Sequence, residues 1–434
     1  MFTDPPLLIE RIARRIDETR VSDGMCRISP DAPGVRCLGE LTDYPGIIRE
    51  LRGAGAPEGI LTQATPERSV SLVKQRLPYL RKIRNTGAYW RFMRIINDLY
   101  DYTTPEILES DVDSLDARVA ASSLEPQWAQ QILHERCRIE RIACDLGNRS
   151  TGVNPATAED NLGVQVNYFW DATRLLSVDH PSKNAERHVT KPAYTSILET
   201  TIGSRPASLA ALNRGVGDFL DRTVTGQVRF INARISTRIR LEPADSGAID
   251  SLLARESGGV PLTDDETDQI GSAVGAAIFA WAHEHRRTIV MQGLGRSPHQ
   301  PYGCPATISR LAKSFRGANL VLADYARDFA RHVHHLAASH PNIALAGFSD
   351  STFVTSLIAS EFIERLQVVP IGKTIGFASL APNVEWLYAN FQAVRYGTAQ
   401  GFVQAVEIDH LHENRIHDLL TDSLGNSVIE FLGL

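Results

Sequence analysis

The stretch Arg20–Pro57, RVSDGMCRISPDAPGVRCLGELTDYPGIIRELRGAGAP, reads as a short strand (Val21–Ile28), a loop with two prolines, and a helix opening near Leu41. Ahead of it, residues 5–18 have helical spacing, with Leu8, Ile9, Ile12 and Ile16 on one face. Behind it, the order strand-then-helix returns repeatedly. Further strand candidates are 138–145, 163–170, 226–235, 288–294, 318–324, 342–348 and 373–379. Helical periodicity fills the stretches between them. With Val21–Ile28 this makes eight strands, and alternating strands and helices predict a parallel sheet. Eight such units predict an α/β fold, a (β/α)8 TIM-like barrel whose functional residues sit at the C-terminal strand ends. A doubly wound sheet competes, but no GxGxxG follows a strand and no Walker A motif occurs.

The interval 41–137 breaks the alternation. Its pieces are helical, with Thr104-Pro105 as a candidate helix start. The expected organisation is an N-terminal helix and first strand (1–40), a helical insertion (41–137), and the rest of the barrel with C-terminal helices (138–434).

Composition bounds the function. The chain has 434 residues, 43% hydrophobic and 22% charged, with a net charge of -6. That is ordinary globular composition, and it disfavours a nucleic-acid partner. No apolar run reaches the length of about 18 residues that a membrane helix needs. The opening MFTDPPLLIERIARR lacks the apolar core of a signal peptide. The five cysteines (Cys26, Cys37, Cys137, Cys144, Cys304) are scattered without a CxxC. Buried thiols in a reducing cytoplasm are expected.

Several local motifs resemble the uronate (glucuronate) isomerase branch of the amidohydrolase superfamily. Leu38–Gly39–Glu40–Leu41 matches its "L-x-E-L" segment, and Ala54–Gly55–Ala56–Pro57 its "A-G-x-P" helix end. Tyr89–Trp90 is similar to an aromatic helix of the family's helical insertion. The tail from Asn426 to Leu434 resembles the family's C-terminal end. The resemblance implies a metal held by ligands from strands one, five and eight. Those ligands are replaced here. The first-strand His-X-His positions are Met25 and Arg27, and the first histidine in the chain is His134. The strand-five His becomes Met291, five residues before Arg296. In the strand-eight "I-G-x-x-S-D" the Asp becomes Leu380. Methionine and leucine do not bind a hard or borderline divalent cation, and Arg27 adds a fixed positive charge. No catalytic metal and no other cofactor are expected.

Other histidines read as structural. His283-Glu284-His285 lacks the spacing of a HExxH zinc motif and reads as a polar helix end. His332, His334 and His335 read as the surface face of a helix.

The strand ends supply the candidate site. Arg27, Asp145 and His299 are candidates for catalysis. Arg27 would stabilise developing negative charge, and Asp145 or His299 would move protons. Arg296, Asn167, Arg234, Asp350 and Ser379 are candidates for substrate binding, with Arg27 and Arg296 able to hold a carboxylate or phosphate bidentately. Asn232 and Asp324 also lie near strand ends. Each has a structural alternative, as a helix cap, a loop clamp or an ion pair. Cys26 is either a nucleophile beside Arg27 or a thiol turned into the barrel wall.

Three functions compete. The first is a metal-independent isomerase or lyase (dehydratase) acting by proton transfer on a small polar, anionic metabolite. The lost ligands being Arg and Met, rather than a uniform apolar plug, motivates it. The second is a catalytically silent barrel that binds a ligand or a protein. The third is a metal-dependent hydrolase or uronate-isomerase-like enzyme with rebuilt ligands. The expected partner is a small-molecule substrate, with neither nucleic acid nor membrane; a homo-oligomer is left open.

Overall fold

Eight short strands lie in chain order: β1 Val21–Cys26, β2 Ile139–Asp145, β3 Gln165–Asp171, β4 Val228–Arg234, β5 Thr288–Gln292, β6 Asn319–Ala323, β7 Ile343–Ala346 and β8 Thr374–Ile375. All neighbouring pairs run parallel, in the order β1 to β8. The computed structural model describes residues 7–147, 155–176, 194–234, 241, 245–294, 305–349 and 354–434. Helices occupy the intervals between strands, which makes the chain a (β/α)8 barrel. Among the described residues no helix is long and apolar enough to cross a membrane.

The central strands are buried on both faces, which explains their near-continuous apolar runs such as IALA and NLVLA. One face packs beneath the helices; the other fills the lumen. The lumen holds Met25, Ala143, Phe169, Phe230, Val290, Val321, Ala323, Ala344, Ala346, Ile375 and Ala378. Phe169 and Phe230 stack there with centroids 5.2 Å apart, filling space that the alanines leave.

The C-terminal end of the chain closes the bottom of the barrel. Val428, Phe431, Leu432 and Leu434 join the lumen cluster. Thr288, the first residue of β5, donates its hydroxyl to the Phe431 carbonyl at 2.5 Å. Gly24 is glycine for this reason: a Cβ there would come within 2.9 Å of Leu432.

β8 is only two residues long, so the seam with β1 is sealed by single backbone bonds. Gly24 N–H donates to Phe377 O (3.1 Å), Leu380 N–H to Met25 O (2.8 Å), and Arg27 N–H to Ala381 O (2.8 Å). The expected strand over 373–379 ends at Ile375 because the next N–H, from Gly376, turns to Ser423 O at 2.7 Å.

Between β1 and β2 the chain is helix and loop. The aromatic helix Gly87–Tyr100 is capped by Thr86, whose hydroxyl accepts from Tyr89 N–H. Thr104-Pro105 starts no helix: the next begins with a 3-10 turn at Glu109–Asp111 and continues as Val112–Ser122. Tyr102 OH instead ties that loop down, donating to Glu106 O and Asp111.

Candidate active site

The mouth of the barrel is the C-terminal end of the strands. Beneath its β8–β1 side runs a buried polar chain. Asp23 is fully buried and accepts from Met25 N–H (3.1 Å), Ser379 N–H (2.9 Å) and the Ser379 hydroxyl. The Ser379 carbonyl accepts from Asn390 Nδ2 at 2.9 Å, and Asn390 Oδ1 accepts from Arg91 at 2.5 Å. Arg91 comes from the aromatic helix of the insertion and lies over the Tyr44 and Trp386 rings, which stack on one another. Burial pushes the Asp23 carboxyl up to about 6, against the lowering effect of its three donors.

Above that chain a contact crosses the lumen. The Gln292 amide donates to the Met25 sulfur at 2.8 Å. These residues come from β5 and β1, on opposite sides of an eight-stranded barrel. The geometry corrects the phase of strand five. Met291 packs in the helix-side core, while Val290 faces the lumen, so alternation turns Gln292, not Met291, toward Met25. Leu380 packs against the same lumen cluster and takes a positive φ of 51°, unusual for a branched side chain.

A divalent cation here would need imidazoles or carboxylates converging on one point. Where strands one and five face each other the side chains are a thioether and a carboxamide, with the Arg27 guanidinium at the strand end. Among the described residues no group of three or more His, Cys, Asp or Glu could hold a metal ion. The described residues therefore do not fit the metal of the uronate-isomerase branch.

The sequence candidates are scattered around this point. Arg27 is exposed at the end of β1. Asp145 is half-buried at the end of β2, where it accepts from Gly147 N–H at 2.8 Å and so clamps its own loop. Arg234, at the end of β4, is exposed and pairs with Asp324 at 3.3 Å across β5. These three and Asp324 do share the mouth.

Two others do not. Asn167 lies two residues before Phe169, on the bottom side of the aromatic pair, and its Oδ1 accepts from Arg229 at 2.9 Å. Ser379 is fully buried and spends its groups on Asp23, Asn390 and Ala381 N–H. Ser379 thus has its groups occupied within the seam, while Asn167 lies below the aromatic pair with its Nδ2 unpartnered. Arg296, His299 and Asp350 lie outside the described residues. Sequence reasoning passed over Asp23 and Gln292; a lone charge and a lone amide inside apolar strands were the signals for them.

Three more polar groups need placing. Glu385, fully buried at the start of the long helix Val384–Glu407, accepts from Trp128 Nε1 (2.9 Å), Tyr100 OH (3.4 Å) and Val35 N–H (3.3 Å). Burial pushes it up to about 7. His334 is buried, not on the surface face expected of its helix. It sits beside Glu361 and Arg365 of the next helix, and Tyr325 donates to Glu361 at 2.6 Å. Burial opposes the Glu361 charge, yet Arg365 and hydrogen bonds from His334, Tyr325 and Ser349 hold it well below the usual carboxylate range. Cys26 faces the helix-side core with its sulfur 3.4 Å from that of Cys144, and burial pushes its thiol up. That is a wall residue, not a nucleophile.

The fold is a (β/α)8 barrel whose eight parallel strands run in chain order. No protein-family model matches the chain, and no curated protein sequence does. Solved structures match along its full length. A uronate isomerase from Thermotoga maritima superposes with a TM-score of 0.79 at 10% identity, covering 98% of this chain and 97% of its own. A glucuronate isomerase from Caulobacter crescentus gives 0.72 at 14%, covering 100% and 95%. A uronate isomerase from Bacillus halodurans gives 0.65 at 12%, covering 100% and 98%. At these identities the likeness is one of fold.

Proposed function

We propose that this protein is a metal-independent enzyme of the isomerase or lyase type, acting by proton transfer on a small anionic metabolite bound at the barrel mouth. The observation that carries the reading is Arg27. It is an exposed cation at the end of β1, its backbone pinned to Ala381 O at 2.8 Å, and no described side chain pairs with it. A fixed guanidinium at the C-terminal face suits both tasks required: holding a carboxylate and stabilising negative charge that develops beside it. Asp145 is the described group best placed to move a proton. The uronate and glucuronate isomerases that share the fold make small acids of that kind the first to test. The buried free thiols Cys26, Cys37, Cys137 and Cys144 support a reducing compartment, and we place the protein in the cytoplasm.

The first measurement is metal content by elemental analysis, before and after chelation. Near-stoichiometric zinc or manganese, with stability lost on chelation, sinks metal independence and revives the metal-dependent reading. The second is proton exchange of candidate acids in deuterated water, followed by NMR. Arg27→Ala is expected to lower exchange by about 100-fold, and Arg27→Lys by less. The Met25–Gln292 contact favours a second reading, a silent barrel with its metal position plugged. An Arg27→Ala protein that binds and turns over every acid as the parent does would favour that reading.

A further inference from the structure

Two lumen asparagines carry a buried side-chain atom without a partner, Asn167 Nδ2 below the Phe169–Phe230 pair and Asn232 Oδ1 above it. Asn232 lies on β4 and is 1% exposed. Ile231 and Ala233 on either side of it pack in the helix-side core, while Phe230 packs in the lumen. Strand alternation therefore turns the Asn232 side chain inward. It pairs in register with Asp171 of β3 and with Val290 of β5, one inward step below Arg234 and Gln292 at the mouth.

The Asn232 Oδ1 atom is fully buried and accepts no hydrogen bond. A buried carbonyl without a donor keeps its full desolvation cost, which nothing in the fold returns. The other buried asparagines show what a structural role looks like. Asn390 bridges Arg91 and Ser379, and Asn342 donates to the Ala312 and Ala318 carbonyls. Asn167, deeper in the same lumen, has its oxygen occupied by Arg229, and its unpartnered atom is a donor, Nδ2, on the bottom side of the aromatic pair. Asn232 alone among these keeps an idle acceptor on the mouth side of the Phe169–Phe230 pair.

We propose that Asn232 is a ligand-binding residue: its Oδ1 accepts a hydrogen bond from a hydroxyl or amine N–H at the deep end of a small ligand seated in the mouth. This rests on the reading of the mouth as a ligand site, and adds what the buried end of the ligand must carry. A methyl or ether at that end would leave the acceptor idle, so the site discriminates against analogues without the donor.

The test begins without any ligand. Removing an idle buried acceptor should not destabilise the protein. Asn232→Leu is expected to raise Tm by about 1–3 °C, and Asn232→Ala to hold it within about 2 °C. A clear fall in Tm, or failure to fold, in both variants would show a structural partner and overturn the proposal. A fall in Asn232→Leu alone, with Asn232→Ala unchanged, assigns the loss to leucine's shape and sustains it. The second arm uses paired probes, lactate against propionate and tartrate against succinate, read as ligand-induced shifts in Tm. Preference for the hydroxylated member in the parent, abolished in both variants, supports the proposal; the same preference retained in the variants overturns it. If no acid shifts the parent, the anion reading of the mouth fails, and the neutral pair ethylene glycol against dimethoxyethane decides for Asn232 by the same rule, no preference in the parent overturning it.

Discussion

The two sides of the barrel mouth treat their polar groups differently. At the β8–β1 seam they are buried and bonded to one another, from Asp23 through Ser379 and Asn390 to Arg91. On the β4–β6 arc Arg234 is exposed at the rim, where it pairs with a largely buried Asp324, and Asn232 below them has an unmatched oxygen. The seam carries Met25, Arg27 and Leu380, positions at which the resemblance places metal ligands, yet its polar groups are consumed in closing a sheet whose last strand is two residues long. The difference teaches that position in a motif does not make a residue available for chemistry; unspent hydrogen-bonding capacity does. Arg27 stands where the two regimes meet, anchored by the seam and open to the mouth.

If the seam is structural, breaking it should give the largest loss. Asp23→Ala strands two backbone N–H donors and the Ser379 hydroxyl in a dry environment, and is expected to cost about 3–5 kcal/mol in urea unfolding. Asp23→Asn keeps an acceptor and should cost less. A loss under about 1 kcal/mol for Asp23→Ala would erase the distinction between the two sides. A smaller, pH-dependent effect comes from Glu385, which backs the seam. Its folded pKa of about 7 lies above the ordinary 4.5. The folded state therefore binds the proton more tightly, so this stabilisation is complete below about pH 4.5 and is lost as pH rises through about 7. The span is at most about 3 kcal/mol. Asp23 acts in the same direction lower down, between its ordinary 3.8 and about 6. Glu385→Gln is expected to gain on the parent between pH 5 and pH 8; a gain independent of pH would remove Glu385 as the source.

The barrel was legible because its strands are buried on both faces and read as apolar runs between amphipathic helices. That same property hid the site. In TIVMQ the residues before Gln292 are apolar on both faces, so the lone amide marks a polar position without showing whether it or Met291 points at Met25, and a one-residue slip exchanges lumen for wall. Ser379 looked like a strand-end contact because its partner, Asp23, is 356 residues away in sequence. His334 looked exposed for a similar reason: Glu361 and Arg365, which bury it, belong to another helix. The end of β8 was overread because the chain stays apolar past Ile375 while its hydrogen bonds leave the ladder. Arg27, Asp145, Arg234 and Asp324 lie at strand ends, a position that the topology alone assigns.

The smallest expected effect on stability separates the two sides most sharply. Arg234 pairs with Asp324 at 3.3 Å, but its side chain is 45% exposed. Solvent screens such a pair, and Arg234→Ala should change stability by no more than about 1 kcal/mol. The Arg234 backbone N–H, which donates to the Thr173 hydroxyl at 3.2 Å, survives the substitution and keeps the end of β4 in place. Removing the guanidinium takes a positive charge away from the rim beside Asp324. An anionic ligand should then bind about tenfold more weakly, and raising the salt concentration should narrow the gap. Isothermal titration of parent and variant with the same acid, at low and high salt, checks both statements. Weaker binding with intact stability makes the arc a ligand surface; a stability loss rivalling that of Asp23→Ala would make it a second seam.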